Sequence, residues 1–310
     1  MSNIHQRQNS CENIKKLQAQ RQMYSDIKYW MRWILVVGVV LPILVSFLTY
    51  ALNNEYFSRL FKFEKRDFSY LPAFVGIVAA VFVGLLSDFL KKMKEDAAKI
   101  QELFDTNVFD LTWDSTSIGD KPDTGLLLKK SKKFNKKYPN YNGFVDWYTT
   151  KAASFKYPEA IVFCQQQNLH WDSSLRKDIV FRSKVILVII LTTIAILGIW
   201  NDFSVRNLLT NVLALFFPIC WFFYKMITEH NETIKEMERL RRINDKLIES
   251  IILNNLSTDE LLRQCRELQT AIYNHRKSAR PIPNRLHKKR KDEQEDESAY
   301  RMQQYLDEYQ

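Results

Sequence analysis

Glycine and proline are scarce in this chain, with seven and eight among 310 residues, and that scarcity disfavours a turn-rich β architecture. Cysteine is sparser still. Cys11, Cys164, Cys220 and Cys265 lie far apart, with no CxxC pair and no Cys/His ligand spacing, so free thiols are expected rather than a disulfide framework or a zinc site. The five histidines (His5, His170, His230, His275, His287) are equally dispersed. No cleavable signal is visible, because Met1 to Trp30 is polar and lacks an apolar h-region; the first apolar block is expected to direct membrane insertion. Glycine-rich phosphate loops, GxSxG and paired histidines on a helix face are also missing, so neither catalysis nor a bound cofactor is expected.

What the chain does have is segregation. Its 46% hydrophobic and 26% charged residues average to a mean hydropathy of −0.29, yet the apolar residues are gathered into four blocks with the charges between them. A bilayer core of roughly 30 Å takes about 20 apolar residues in a helix. Four spans are predicted: Trp33 to Leu52, Tyr70 to Leu90, Lys184 to Trp200 (extendable back through Phe181 and Ile179) and Leu208 to Ile227. None shows the polar face of a soluble core helix. None has a charge at its middle either; Asp88, at one end of the second, comes nearest, which argues against an ion-coupled transporter. Trp30, Trp33, Tyr50, Tyr56, Tyr70, Trp200 and Trp221 fall near span ends, as interfacial anchors do. Pro42 and Pro218 are placed to kink the first and fourth helices. Gly76, Ala80 and Gly84 form a small-residue stripe on the second, suited to helix packing within the bundle or between subunits, or to lining a pore.

Lysine and arginine set the orientation. The first inter-span loop carries Arg59, Lys62, Lys65 and Arg66, and the third carries Arg206. Lys91 to Lys184 holds roughly seventeen, with a similar number in the C-terminal region and six from Arg7 to Arg32. The positive-inside rule then puts both termini and the long middle segment in the cytoplasm, and the same bias accounts for the net charge of +10. The expected plan is a cytoplasmic tail over 1–32, two spans over 33–90, a cytoplasmic sensor or regulatory domain over 91–183, two spans over 184–227 and a cytoplasmic helical region over 228–310. The fold class is predominantly all-α: a four-helix transmembrane protein with a small, mainly helical cytoplasmic domain and a long C-terminal helical extension.

Within the middle segment, Leu90, Met93, Ala97, Ile100, Leu103 and Phe104 recur at helical spacing. The aromatic stretch from Glu102 to Asp114 is expected in a small core. Lys129, Lys130, Lys132, Lys133, Lys136 and Lys137 then form a basic run, followed by Tyr138, Tyr141, Trp147 and Tyr148. Cations mixed with aromatics suit phosphates and bases; they equally suit a solvated face or one lying on anionic lipid. A helix from Pro158 is expected to break near Asn168 and restart with Asp172 or Ser173 as N-cap. Gln165, Asn168, Trp171 and Arg176 there suit either a polar site or hydrogen-bonded structure. Ile227, Ile234, Met237, Leu240, Ile243, Leu247 and Ile251 make a packing seam for another helix or another subunit. Ser257 and Glu260 form a capping box, and Arg280-Pro281-Ile282-Pro283 stops the helix that follows.

Two stretches carry a resemblance: Leu103-Phe104-Asp105-Thr106-x-Val108-Phe109-x-Leu111-x-Trp113, and Cys164-Gln165-x-x-Asn168-x-x-Trp171-Asp172-x-x-Leu175-Arg176. With the span spacing and the Pro281-x-Pro283 break, they resemble the SMODS-associated four-transmembrane effectors, pore-formers of bacterial cyclic-oligonucleotide anti-phage signalling. The likeness covers nearly the whole chain. It departs at Thr112-Trp113-Asp114, where the family pattern ends in Pro-Trp-Asn. The resemblance implies a multi-pass protein of the bacterial inner membrane that binds a cyclic di- or trinucleotide, not a DNA or RNA polymer. It also implies a homo-oligomer in contact with lipid that permeabilises the membrane and kills the infected cell. The residues above imply two alternatives as well: a constitutive or otherwise gated channel, and a non-conducting scaffold.

Overall fold

The computed structural model describes residues 3–53, 55–62, 68, 70–170, 173–200, 214–283, 296–297 and 300–307. Among these there is helix and no strand. The elements are α1 (Ile4–Gln8), α2 (Cys11–Leu35), a π-helical turn (Val36–Val40), α3 (Leu41–Asn53), α4 (Glu55–Phe61), α5 (Leu71–Phe109), α6 (Ser115–Ile118) and α7 (Thr124–Lys137). A 3₁₀ turn (Thr150–Ser154), α8 (Glu159–His170), α9 (Ser173–Trp200), α10 (Ala214–Ile252) and α11 (Thr258–Ser278) follow. Residues 300–307 are helical too.

The chain folds as two compact units. An apolar unit comprises Lys28–Leu90 and Ile179–Glu229, and a polar unit comprises Met1–Ile27, Lys91–Asp178 and His230–Gln310. Three helical runs, Cys11–Asn53, Leu71–Phe109 and Glu159–Ile196, are long and apolar enough to cross a membrane. Of the fourth expected span, 208–213 lie outside the described residues, and the part from Ala214 to Ile227 is the first third of α10. The protein is a helical membrane protein.

In the apolar unit the π-helical turn comes immediately before Leu41 and Pro42. Proline has no N–H to give to the preceding turn and its ring crowds the carbonyl there; the wider turn accommodates both. In the same turn, a Cβ added at Gly38 would lie 3.0 Å from the Val83 side chain, so the first and second spans come together at this glycine. Gly76 and Gly84 have no such neighbour within 4 Å among the described residues. Among the described residues the stripe they share with Ala80 is thus left open, and Gly38 is a point of close approach between spans. Gly38→Leu is expected to lower stability by about 1–3 kcal/mol through overpacking against β-branched Val83, while Gly84→Leu is neutral. Thermal denaturation in detergent separates them, and equal midpoints would exclude the Gly38 contact.

The polar unit is assembled from three separate stretches of chain. Leu17, Ala19, Met23 and Ile27 of α2, Phe104 and Phe109 of α5, Phe163 of α8, Leu240 and Leu247 of α10, and Cys265 and Leu268 of α11 are all buried. The expected N-terminal tail is therefore helical and structural from Cys11 onward. Gln8 fastens it: its amide oxygen accepts from Tyr148 N at 2.7 Å, and its amide N–H donates to the Tyr148 carbonyl at 3.1 Å. The α10 seam is used inside the chain, with Ile234, Met237, Leu240, Leu247 and Ile251 buried. Ile243 is an exception. It is exposed, and Asn244 takes the inward position four residues after Leu240, donating to the Val162 carbonyl at 3.0 Å. Helix α8 continues past Asn168 to His170, later than its expected break. Ser257 caps α11 by accepting from Glu260 N at 3.3 Å.

Candidate functional site

Asp105 is fully buried at the centre of the polar unit. Glu102 and Asp105, three residues apart, share one side of α5. Arg266, Gln269 and Arg276 reach them from α11. The Asp105 carboxylate accepts from Tyr148 Oη at 2.5 Å, from Gln269 Nε2 at 3.0 Å and from Arg276 Nη1. Glu102 accepts from Arg266 Nη2 at 2.6 Å and from Gln269 Nε2 at 2.8 Å. Asn168 Nδ2 donates to Tyr148 Oη at 2.8 Å, which carries the chain of bonds into α8. Gln165 closes it, donating to the Cys265 carbonyl at 2.8 Å and to Gln269 Oε1 at 3.1 Å. Two carboxylates thus face two guanidiniums, and buried charge is tolerated only when paired in this way.

This environment shifts several groups. Burial pushes the Glu102 carboxyl above its usual value, and Asp105 adds to the rise while Arg266 only partly offsets it. Burial works against the Arg276 charge, but Asp105 and Tyr148 outweigh it and hold the guanidinium protonated. Burial and the Asp105 charge drive the Tyr148 hydroxyl and the Cys164 thiol well up, and burial pushes Cys265 up to about 12. Both thiols are inert as nucleophiles. For Glu102 the folded value lies above the unfolded 4.5, so the folded state binds the proton more tightly. Its contribution to stability is complete below pH 4.5 and fades as pH rises through the folded value. Glu102→Gln is therefore expected to flatten this part of the stability–pH profile. Unfolding followed between pH 4 and 8 checks this, and an unaltered slope would count against it.

The two family stretches meet at this network. Phe104 stacks on Tyr148 with ring centroids 6.1 Å apart, and Phe109 lies 5.1 Å from the same ring. The Thr106 hydroxyl donates back to the Glu102 carbonyl at 2.9 Å. The Trp113 indole N–H donates to the Gly119 carbonyl at 2.8 Å, and Asp114, at the family's asparagine position, accepts from Ser117 N at 3.0 Å to cap α6. Cys164 is buried beside Gln165. Buried Arg176 donates to the Arg280 carbonyl at 2.9 Å and lies 3.1 Å from His230 Nδ1, joining the start of α9 to the Pro281–Pro283 break. Trp171 and Asp172 lie outside the described residues.

The basic run occupies α7, capped by Asp123, whose carboxylate accepts from Leu126 N at 2.7 Å. Ser131 and Phe134 face inward, the serine donating to Gln18 Oε1 of α2 at 2.7 Å. The six lysines divide into two groups. Lys130 and Lys133 reach Asp26 of α2, at 2.7 and 2.8 Å. Burial pushes the Asp26 carboxyl up, but hydrogen bonds from Lys130, Lys133 and Gln22 prevail and hold it below its usual value. Lys129, Lys132, Lys136 and Lys137 are exposed. The aromatics divide as well. Tyr148 is interior and Trp147 partly covered, whereas Tyr138 and Tyr141 stand at the surface against Phe134, with Lys137 Nζ 5.3 Å from the Tyr138 ring. Gln165, Asn168 and Arg176 thus point into the protein and four of the lysines point out, so the structure does not gather the predicted ligand residues into one site.

A helical membrane unit joined to a helical unit with a charged core is the class these features define. The chain matches the family described as the SMODS-associating 4TM effector domain over residues 2–305, and it belongs to that family. It is 24% identical over 272 residues to a protein of Bacillus cereus (strain VD146) named "Probable CBASS effector molecule", with 86% of each chain covered. No solved structure matches it significantly.

Proposed function

We propose that the protein is the membrane effector of an anti-phage signalling system, in which a cyclic di- or trinucleotide binds its polar unit and the inner membrane is then permeabilised. Both termini and the polar unit face the cytoplasm in this reading, in line with the lysine and arginine bias along the chain. The chain acts by gating and catalyses nothing. The observation that carries the reading is the family match along nearly the whole chain, strengthened by a relative bearing the CBASS effector name.

The exposed face of α7 is the surface best suited to the ligand. Lys129, Lys132, Lys136 and Lys137 offer ammoniums to phosphodiesters, and Tyr138 and Tyr141 offer ring faces to bases. Gln165, Asn168 and Arg176 hold the interior of the polar unit together and do not line that face. Subunits associate into a homo-oligomer, and the open Gly76, Ala80 and Gly84 stripe is where their membrane helices approach. A ligand shifts such an assembly only by binding the open form more tightly; moving it from 1:99 to 99:1 takes about 5.5 kcal/mol, a preference that several phosphate contacts shared among subunits supply.

Dye release from liposomes holding the purified protein tests this. Leakage is expected only when a cyclic oligonucleotide is added. Leakage without it would make the chain a constitutive channel, and silence under every cyclic di- and trinucleotide would make it a scaffold.

A further inference from the structure

Two lysines of α7 already hold an anion. Asp26 Oδ2 lies 2.7 Å from Lys130 Nζ, and Oδ1 lies 2.8 Å from Lys133 Nζ and accepts from Gln22 Nε2 at 2.8 Å. Two ammoniums three residues apart therefore converge on one group, each on a different oxygen. That is the donor arrangement two oxygens of a phosphate call for.

We infer that Asp26 is a built-in competitor for the ligand's phosphate: its carboxylate fills the Lys130–Lys133 clamp at rest, and a phosphate displaces it. The inference rests on the proposed ligand face of α7 and adds how that face is regulated. Three observations support it. The clamp is open on one side, because Lys133 is 59% exposed while Asp26 and Lys130 are mostly covered. The exposed Lys129, Lys132, Lys136 and Lys137 belong to the same helix, so an arriving dianion meets an excess of positive charge that a single carboxylate does not cancel. Asp26 also sits near the end of the polar unit's first segment, on the helix α2 whose run continues through the π-helical turn to Asn53.

A ligand biases a conformational equilibrium only through an interaction that differs between the two states. Exchange with Asp26 supplies one. The carboxylate is clamped at rest and released when phosphate takes its place, while the Gln18–Ser131 bond keeps α7 on α2. The energy of phosphate binding is thereby directed at a residue of the helix that carries the first membrane span. Lysines engaged with Asp26 for most of the time also make the resting affinity low, which guards against activation by the nucleotides of an uninfected cell.

Pyrophosphate separates this inference from the identity of the nucleotide, since it offers phosphate oxygens without bases. Calorimetric titration of the full-length protein in detergent is expected to show Asp26→Asn binding pyrophosphate about tenfold more tightly than the unsubstituted protein, as follows when an internal occupant holds the site about nine-tenths of the time. Equal or weaker binding by Asp26→Asn overturns the inference. The charge swap Asp26→Lys with Lys130→Glu and Lys133→Glu keeps the ion pairs and is expected to melt as the unsubstituted protein does while binding no pyrophosphate; undiminished binding by the swap also overturns it. Failure of the proposed function would show elsewhere, as silence in dye release with cyclic nucleotides, whatever the pyrophosphate result.

Discussion

Asp105→Asn is expected to destabilise the polar unit by about 3–5 kcal/mol, the usual result of removing one member of a buried ion pair. The side chain keeps its shape but loses its charge, and Arg276 is left as a buried cation whose nearest partner is gone. Tyr148 and Gln269 each lose a charged acceptor in the same step. Asp105→Asn combined with Arg276→Met should cost less than the two single changes added together, because the double variant has no orphaned charge at this position. Tyr148→Phe gives the scale, at about 1–2 kcal/mol, since it removes one hydroxyl and leaves Asn168 a donor without its acceptor. Thermal unfolding in detergent micelles orders the series. An Asp105→Asn protein that melts with the unsubstituted one would show that the network is not the keystone of the unit.

Reversing Lys129, Lys132, Lys136 and Lys137 to glutamate should abolish nucleotide-dependent leakage up to at least about a hundredfold above the normal half-maximal concentration. Each contact between a lysine and a phosphate is a charge-assisted hydrogen bond worth about 1.5–3 kcal/mol, so losing several weakens binding by more than about a hundredfold. These four are the informative choice because they are exposed, whereas Asp26 is held by Lys130 and Lys133. Altering Lys130 or Lys133 would place a carboxylate against Asp26 and confuse folding with binding. The unfolding midpoint should stay within a few degrees of normal. A variant that melts normally and responds to the same nucleotide concentrations would take the ligand off this face.

The apolar blocks were legible in the sequence because hydropathy is a local property, and Trp33 to Leu52 or Tyr70 to Leu90 reveals a span without reference to any other residue. The candidate site was only half legible. Phe104, Asp105, Gln165 and Asn168 stood out as a family pattern, yet nothing in that pattern told ligand contacts from core. Their partners were hidden for a physical reason. Arg266, Gln269 and Arg276 lie on an amphipathic helix where such residues usually face water, and only the three-dimensional packing shows that they share a side with Cys265, Leu268 and Ile272. Tyr148 looked like one more aromatic beside the lysines, although it is the hub. The α10 seam shows the same limit from the other direction: periodicity found the stripe but chose Ile243, and one residue of register gave the inward place to Asn244.

The polar unit takes its pieces from the beginning, middle and end of the chain, and this governs when it can exist during synthesis. Helix α2 leaves the ribosome roughly 230 residues ahead of α11, a delay on the order of ten to fifty seconds at about 5–20 residues per second. Every apolar block has emerged by then, while Asp105 and Glu102 still await Arg276, Arg266 and Gln269. A nascent chain therefore carries its membrane helices for a time without a finished polar unit. If the polar unit controls the membrane unit as proposed, the protein becomes able to respond only after translation has passed Arg276.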